Sequence, residues 1–538
     1  MHRYRASLAV VCVLLTTAGC VRENGTAARR AQVPSRSPSP TPPVAQLQTT
    51  VPVADTTVLA GRTATELALA TSRVLYARSP AVVLVGDGDP ASLGRAAKTA
   101  VTLGVPLLLT PVTASPSPAP SRTASSPGAT AQPTPTTVSP ATSALRNEVA
   151  RLGASTLVTA GEAAAAWARA ESTVPGDTAA VAALESGRLP TVVPAAPLTD
   201  VLVIALDQPV SAAAVATARA GGARVVLTAN PDPRTSNAVI TALAGHPIDH
   251  IVAIGAGFGP AARLRNRVET AGTGVLLPGG GQVVFPGRRL VALYGHPGNS
   301  QLGSLGEQSL SATLNRARQV AAAYRPLVKE PVVPTLEIIA TIASRGAGTD
   351  GNYSTESPLS KLRPWVDAAR EAGIYVILDL QPGRTDFLTQ AKLYTSLLMQ
   401  PNVGLALDPE WRLGPDQVHL AQIGSVTADE INRTATWLAD LTRDHKLPQK
   451  VLMVHQFRLD MITGRPSLRT DFDELSIVLH ADGFGSAGQK FNTWRTLHLG
   501  APARAFWGWK NFYDEDTPTF TPSQTVAVAP SPVVITYQ

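Results

Sequence analysis

The stretch VGLALDPEW, residues 403–411, decides the fold. Successive residues of a strand point to opposite faces, so the bulky residues 403, 405 and 407 share one face and the small Gly404 and Ala406 share the other. Asp408 and Glu410 follow on the side of the small residues. This pattern predicts a buried strand that packs its bulky face on helices, turns its small face into a narrow interior and ends in carboxylates.

The unit repeats along the C-terminal half. Apolar runs that end in polar or aromatic residues alternate with stretches such as Pro358–Ala372 and Thr427–His445, whose apolar residues have helical spacing. The segment from Pro286 to Gln538 has about the length typical of a (β/α)8, or TIM, barrel. We therefore predict such a barrel over 286–538, with strands at Leu290–His296, Thr335–Ala343, Ile374–Gln381, Val403–Trp411, Val451–Gln456, Leu475–Asp482, Ala503–Lys510 and Pro532–Gln538.

Carboxylates recur on the inward side of three of these strands. Asp379 shares a face with Tyr375 and Gln381, and Asp482 shares one with His480. Because the carboxyl ends of barrel strands meet at one rim, where active sites of this fold lie, we expect Asp379, Asp408, Glu410 and Asp482 to form the site. The alternative is that Asp408 and Asp482 cap the helical turns that follow them.

The Asp-x-Glu ending of the fourth strand resembles those of muramidase-like and chitinase-like glycoside hydrolases. The resemblance implies a pair of carboxyl groups, one protonated and one ionised, that cleave a glycosidic bond. We assign Glu410 as the general acid, with its pKa raised by Asp408 and Trp411. Asp379 or Asp482 is then the base or nucleophile.

Further polar and aromatic residues of the strand ends are candidates for binding a sugar. Tyr375 and the two tryptophans are expected to stack on sugar rings, although filling the barrel core is an equal alternative for the tryptophans. The others are expected to hydrogen-bond hydroxyl groups. The full candidate set is His296, Tyr375, Gln381, His455, Gln456, His480, Trp507 and Trp509.

The sequence favours no metal and no cofactor. His296, His480, Asp408 and Asp482 are residue types that bind zinc or manganese, but no close HxH or HExxH spacing supports a metal site. Gly255, Gly257 and Gly259 follow an apolar run without the G-x-G-x-x-G spacing of dinucleotide sites.

The N-terminus resembles a bacterial lipoprotein signal. Residues 1–19 carry early basic residues, an apolar stretch too short to span a bilayer and small residues before Cys20. The resemblance implies cleavage, lipidation of Cys20 and anchoring at the outer face of the cell membrane. The other cysteine, Cys12, lies in the signal, so no disulfide framework is expected.

One Pro/Ser/Thr-rich tract precedes the next region, and a second one is inserted within it. We predict a disordered tether over 20–72 and a low-complexity insertion over 112–143, because such compositions bury too little apolar surface to fold. Between the tether and 281, short buried strands alternate with alanine-rich helices such as Ser211–Ala220, which implies a parallel sheet. The fold class is therefore α/β, with an N-terminal parallel-sheet region followed by the barrel; the expected strands of that region are Ala81–Val85, Pro106–Thr110, Thr156–Thr159, Val201–Leu206, Arg224–Thr228 and His250–Gly255.

Residues 73–281 resemble the putative cell wall-binding repeat 2 family. The match rests on Val82–Gly88, the Gly-x-Pro-leucines-Thr stretch Leu103–Thr110 and Leu145–Gly161, with an echo over Val201–Gly257. It departs from the family where Ala91-Ser92 replaces an Asp-Ala pair and where two repeat units stand instead of three. The resemblance implies non-covalent binding to anionic cell-wall polymer.

A net charge of +7 and a pI near 9.5 fit a partner such as an anionic polymer or membrane surface, although solubility alone also explains them. No run of basic residues argues for nucleic acid, which we do not expect as a partner. We thus predict a lipid-anchored surface protein whose barrel cleaves a cell-wall or extracellular polysaccharide. The alternative is a non-catalytic wall-binding or scaffold protein.

Overall fold

Eight parallel strands form a closed barrel in the C-terminal half. The computed structural model describes residues 46–111, 139–172, 180–245 and 248–538. In sequence order each barrel strand pairs with the next, and the last pairs with the first. The barrel strands are β11 (Arg289–Gly295), β12 (Val332–Ala343), β14 (Tyr375–Leu380), β15 (Val403–Leu407), β17 (Lys450–Gln456), β19 (Leu475–Ala481), β20 (Phe506–Asn511) and β21 (Val534–Tyr537).

Helices connect most of these strands and cover the barrel. The short strands β13 (Ser354–Glu356), β16 (Val426–Thr427) and β18 (Ile462–Thr463) belong to the connections. The predicted helices over Pro358–Ala372 and Thr427–His445 are confirmed. The set is α8 (Leu310–Ala322), α9 (Leu359–Glu371), α10 (Phe387–Leu393), α11 (Thr395–Leu398), α12 (Ala428–Asp444), α13 (Ala487–His498) and α14 (Pro522–Val526).

Side-chain alternation divides the barrel into two apolar layers, as predicted. On β15, Leu405 and Leu407 pack with the outward core beneath the helices, whereas Ala406 joins the interior core. The interior is tight: a Cβ atom at Gly404 would lie 2.8 Å from the carbonyl oxygen of Val451. Only a residue without a side chain fits there.

The N-terminal region contains two separate four-stranded parallel sheets, where a single sheet was expected. One has the order β5-β4-β6-β7 and the other β2-β10-β8-β9, while β1 and β3 pair antiparallel. All six predicted strands are present. The strands are β1 (Gln48–Thr49), β2 (Thr56–Leu59), β3 (Tyr76–Arg78), β4 (Ala81–Gly86), β5 (Leu107–Thr110), β6 (Thr156–Ala160), β7 (Ala180–Ala183), β8 (Val201–Leu206), β9 (Arg224–Thr228) and β10 (His250–Ile254).

The helices of this region pack on the two sheets. They are α1 (Ala64–Leu75), α2 (Pro90–Leu103), α3 (Pro140–Leu152), α4 (Glu162–Ser172), α5 (Ala212–Ala220), α6 (Asn237–Ala244) and α7 (Ala261–Gly272). Helix α2 shows why such helices form: the Asp89 side chain caps its first turn, Pro90 opens it, and Gly104 ends it in the left-handed conformation.

Two predicted boundaries need correction. The tether was expected to reach residue 72, but β2 pairs with β10, and α1 buries Leu67 and Leu69. Thr63 and Glu66 form a capping box that starts α1, a signal that the Thr-rich composition concealed. The insertion was expected to reach 143, whereas α3 begins at Pro140. The predicted signal, Cys20, the tether up to residue 45 and the insertion up to residue 138 lie outside the described residues.

The α/β region joins the barrel at the amino ends of the strands. Leu277 and Phe285 of the connecting segment belong to the interior core of the barrel. The Arg267 guanidinium pairs with Asp473, just before β19, at 2.7 Å. The backbone N–H of Gln449, just before β17, donates to Gln282 O at 2.8 Å. The opposite rim, at the carboxyl ends, is left open. None of the described helices is both long and apolar enough to cross a membrane.

Candidate active site

Four carboxylates converge on the carboxyl-end rim. Asp379 lies on β14, Asp408 follows β15 and Asp482 follows β19, as the inward parity predicted; the fourth is Glu337 of β12. Tyr294 of β11 donates to Asp379 Oδ2 at 3.1 Å. Neighbouring parallel strands place these side chains side by side, so the sheet itself assembles the cluster.

His455 of β17 is the centre of the cluster. Its Nδ1 lies 2.6 Å from Asp482 Oδ2, its Nε2 lies 2.7 Å from Glu337 Oε1, and the same Nε2 is 3.8 Å from Asp379 Oδ1. Burial alone would lower the pKa of His455, but the carboxylates of Asp482 and Glu337 raise it well above its usual value. A carboxylate lies at each ring nitrogen, which favours the imidazolium form, in which both nitrogens donate.

Asp482 is held ionised by three neighbours. Burial would raise its pKa, but His455, Lys510 and His480 lower it well below the usual range. Lys510 Nζ lies 3.5 Å from Asp482 Oδ2, and burial lowers the pKa of His480, so that its neutral ring donates from Nδ1 to the other oxygen, Oδ1. His480 Nε2 then accepts from Thr536 Oγ1 at 3.1 Å.

Asp379, Asp408 and Glu410 are driven toward the protonated form. Burial raises the pKa of Asp379 to about 7, although His455 opposes the shift. Burial also raises the pKa of Asp408 well above its usual value. Glu410 has its pKa raised by burial first and by the Asp482 charge second, so the expected causes, Asp408 and Trp411, were not the main ones. The pKa of Asp482 is therefore shifted in the opposite direction to those of Asp379, Asp408 and Glu410, as in pairs of carboxyl groups that divide acid and base roles.

An open cleft of about 380 Å3 lies above this cluster. Asp408, Glu410 and Asp482 line it, together with Lys510 and Gln381. Its apolar walls come from Trp411, Phe457, Phe484 and Phe512. Asp379 and Glu337 are fully buried beneath it. Asp408 Oδ1 also accepts from Glu410 N at 3.2 Å, so the alternative role of Asp408 as a cap coexists with its place in the cleft.

Seven of the eight predicted binding residues do not line the cleft: His455 and His480 are buried in the cluster below it, and five lie elsewhere. Trp507 and Trp509 face outward: Trp507 stacks on His498 with ring centroids 3.6 Å apart, and Trp509 lies 5.4 Å from Trp494. Inward residues of β20 are instead Gly508 and Lys510, so the tryptophans fill the core between β20 and α13. The prediction that Trp507 and Trp509 stack on a sugar in the cleft is therefore wrong.

The other three are displaced by depth or direction. Tyr375 begins β14 deep in the interior, where its hydroxyl accepts from Val451 N at 3.1 Å. Gln456 lies outward on β17 and donates to Arg458 O at 2.9 Å. His296 turns toward α9, 3.2 Å from Ser357 Oγ, and burial lowers its pKa to about 4. Gln381 does reach the rim, where it donates to the Tyr294 hydroxyl at 3.3 Å.

Sequence reasoning missed Glu337, Tyr294 and Lys510. Each is a polar side chain at inward parity in an apolar run, and Glu337 is the lone charge within β12. That isolation was the available signal, because a charge inside a barrel strand needs a partner. Their partners come from distant strands, which sequence spacing does not reveal.

Two groups of side chains have the composition of a metal site. Ligand atoms of His455, His480 and Asp482, and of Glu337, Asp379 and His455, lie within 4.8 Å of one another. Both groups include His455, whose nitrogens already donate to carboxylates, so a metal would displace a proton there. His455 and Lys510 supply the positive charge that balances the acids. The candidate metal ligands His296, His480, Asp408 and Asp482 do not come together, because His296 turns away toward Ser357.

No protein-family model matches the sequence, and no curated protein matches it. Among solved structures, the chain is similar to a xylanase and alpha-amylase inhibitor protein from Scadoxus multiflorus, at 16% identity, over 46% of this chain and 92% of that one, with a TM-score of 0.28. At this TM-score the likeness carries no conclusion about activity. The resemblances to lipoproteins, wall-binding repeats and glycoside hydrolases stay predictions.

Proposed function

We propose that the barrel hydrolyses glycosidic bonds of an extracellular or cell-wall polysaccharide. One observation carries this: Glu410 and Asp482 border the same cleft with pKa values shifted in opposite directions. A protonated carboxyl group and an ionised one on either side of a bound sugar are what glycosidic cleavage requires. Glu410 is then the general acid and Asp482 the base or nucleophile.

The remaining groups position this pair. Asp379 is less suited than Asp482 to act as base, because it is fully buried and its pKa of about 7 leaves it partly protonated at neutral pH. His455 and Lys510 hold Asp482 ionised and fix its orientation. The aromatic walls of the cleft suit the apolar faces of sugar rings. In this proposal the α/β region contacts the wall, and lipidated Cys20 keeps the protein at the outer face of the membrane.

A second candidate function is sugar binding without turnover. Asp482 accepts from both histidines and also faces Lys510, so its oxygens are already engaged. Such a carboxylate is a poor nucleophile unless substrate displaces a partner. This observation favours a wall-binding scaffold with the same cleft.

Release of soluble fragments from purified wall polysaccharide distinguishes the two. We expect Glu410→Gln to lower release by about 10²–10⁴-fold, the usual contribution of a general acid. Glu515→Gln, which changes another acid of the same cleft, is the matched control and should keep its activity. An activated aryl glycoside, which needs no proton on its leaving group, should partly rescue Glu410→Gln.

The pH dependence gives a second readout. Because the pKa of Glu410 is raised, activity should persist above the usual titration range of a glutamate and fall as Glu410 loses its proton. That alkaline limb should vanish for Glu410→Gln with the aryl glycoside. Wall binding without release by the wild-type protein would establish the scaffold instead.

A further inference from the structure

A second cavity adjoins the cleft at Glu410. It has a volume of about 500 Å3 and is bordered by Glu410, Trp411, residues 420–423 and Arg458. Glu410 and Trp411 border both cavities, so they form the ridge between them. The group assigned as general acid therefore stands at a boundary between two binding spaces and not at the end of one.

From this we propose, resting on the hydrolase function above, that the second cavity binds the part of the glycan beyond the scissile bond. The barrel then cleaves within a neutral linear chain, with sugars bound on both sides of Glu410. An enzyme that removes terminal sugars needs a site closed on one side, whereas two joined cavities let the chain continue past the acid.

The wall of the second cavity is fixed to the ridge. Segment 412–424 leaves the barrel beside Glu410 and returns to it, where Gly424 N donates to Glu410 O at 2.8 Å. A Cβ atom at Gly424 would lie 2.5 Å from that oxygen, so the return is closely packed. His419, within the segment, lies 2.8 Å from the carbonyl oxygen of Tyr353 and packs its ring 5.4 Å from that of Trp411. The cavity is thus preformed against Trp411.

The lining chemistry suits an uncharged sugar. Leu420 is 80% exposed and holds a left-handed backbone with φ of 65°, an uncommon conformation for leucine, and Ile423 is also exposed. With Trp411 they offer apolar surface to the C–H faces of a sugar ring. Gln422 adds an amide, and the Arg458 guanidinium is already paired with Asp460 at 3.0 Å.

Charge argues against a polyanion in the cleft itself. Asp482 is held ionised at its border and Glu515 adds an exposed carboxylate, whereas Lys510 is its one cation among the described residues. A phosphate- or uronate-rich chain would meet these acids unfavourably. The proposed anionic wall polymer is therefore better suited to the α/β region, and a neutral glycan to the barrel.

The test uses neutral fragments of purified wall polysaccharide, separated by length from the disaccharide upward. Leu420→Asn with Ile423→Thr removes apolar surface, and asparagine tolerates the backbone of position 420. We expect kcat/KM on long fragments to fall at least about tenfold. Turnover of a glycosyl fluoride, whose leaving group is a single atom that leaves the second cavity empty, should not change. Leu393→Asn, an exposed leucine on α10, is the control.

Failure of this inference is distinguishable from failure of the proposed function. If wild-type protein cleaves and its first products are single sugars, or if the double variant cleaves long fragments normally, the second subsite is overturned while the hydrolase stands. If nothing is cleaved, the same fragments are titrated into Glu410→Gln protein with and without the double substitution. Length-dependent binding lost in the double variant supports the subsite, and unchanged or absent binding overturns it.

Discussion

The Nδ1 atom of His455 lies 2.6 Å from Asp482 Oδ2, in the buried cluster at the carboxyl ends of the barrel strands. This pairing joins the strands β17 and β19, whose backbones place residues 455 and 480 side by side. It determines which carboxyl group of the cleft stays ionised, and leaves Glu410 beside a permanent negative charge. The acid and base roles proposed for Glu410 and Asp482 rest on this contact together with those of Lys510 and His480.

Removal of that negative charge should destabilise the fold. In Asp482→Asn, the charges of His455 and Lys510 lose a buried partner, so the free energy of unfolding should fall by about 3–5 kcal/mol. Denaturation in urea measures the loss. Asp460→Asn removes a carboxylate from an exposed ion pair and should change little. Equal effects of both substitutions would refute the role given to Asp482.

Asp379 should make stability decrease with rising pH. Its pKa is about 7 in the folded protein, against about 3.9 in an unfolded chain. Between these values the folded state keeps a proton that the unfolded state has released. The free energy of unfolding should therefore fall from about pH 4 to about pH 7, by at most about 1.4 kcal/mol per pH unit, and level off above.

Asp379→Asn tests that slope, because asparagine does not titrate. Unfolding of both proteins is followed in urea between about pH 4 and pH 8. The difference between their free energies of unfolding should show the predicted decrease with rising pH. Asp386→Asn is a suitable control: hydrogen bonds from Thr389 outweigh partial burial and lower the Asp386 pKa, which confines its own contribution to more acidic conditions. Parallel curves for wild type and Asp379→Asn would show that Asp379 is ionised in the folded protein.

The junction between the α/β region and the barrel should depend on Arg267. Its guanidinium pairs with Asp473 at 2.7 Å and is 15% exposed. We expect Arg267→Ala to lower the free energy of unfolding by roughly 1–3 kcal/mol, as for a charged hydrogen bond. Arg263 is 55% exposed and lies 3.5 Å from Asp473, so Arg263→Ala should change little. Two separate thermal transitions in Arg267→Ala, seen by calorimetry, would show that the junction couples the two parts.

Local pattern was sufficient for the barrel strands and for three of the four clustered acids. Alternation of large and small residues around Gly404 and Ala406 predicted which face of β15 turns inward, and the same parity placed Asp379, Asp408 and Asp482 at one rim. It failed for Trp507 and Trp509, because an aromatic strand end suits either face. Gly508 and Lys510, between and after them, carried the correct parity.

By itself, the sequence determined the barrel, its strand order and the inward direction of its acids, because alternation along a strand is a local property of the backbone. Only the tertiary structure decided that His455 bridges Glu337 and Asp482, that Lys510 faces the same carboxylate, and that Glu410 separates two cavities. Charges from strands distant in sequence become neighbours when the barrel closes. Since burial and these neighbours shift each pKa, the carboxyl groups differ in their tendency to hold a proton only in the folded protein.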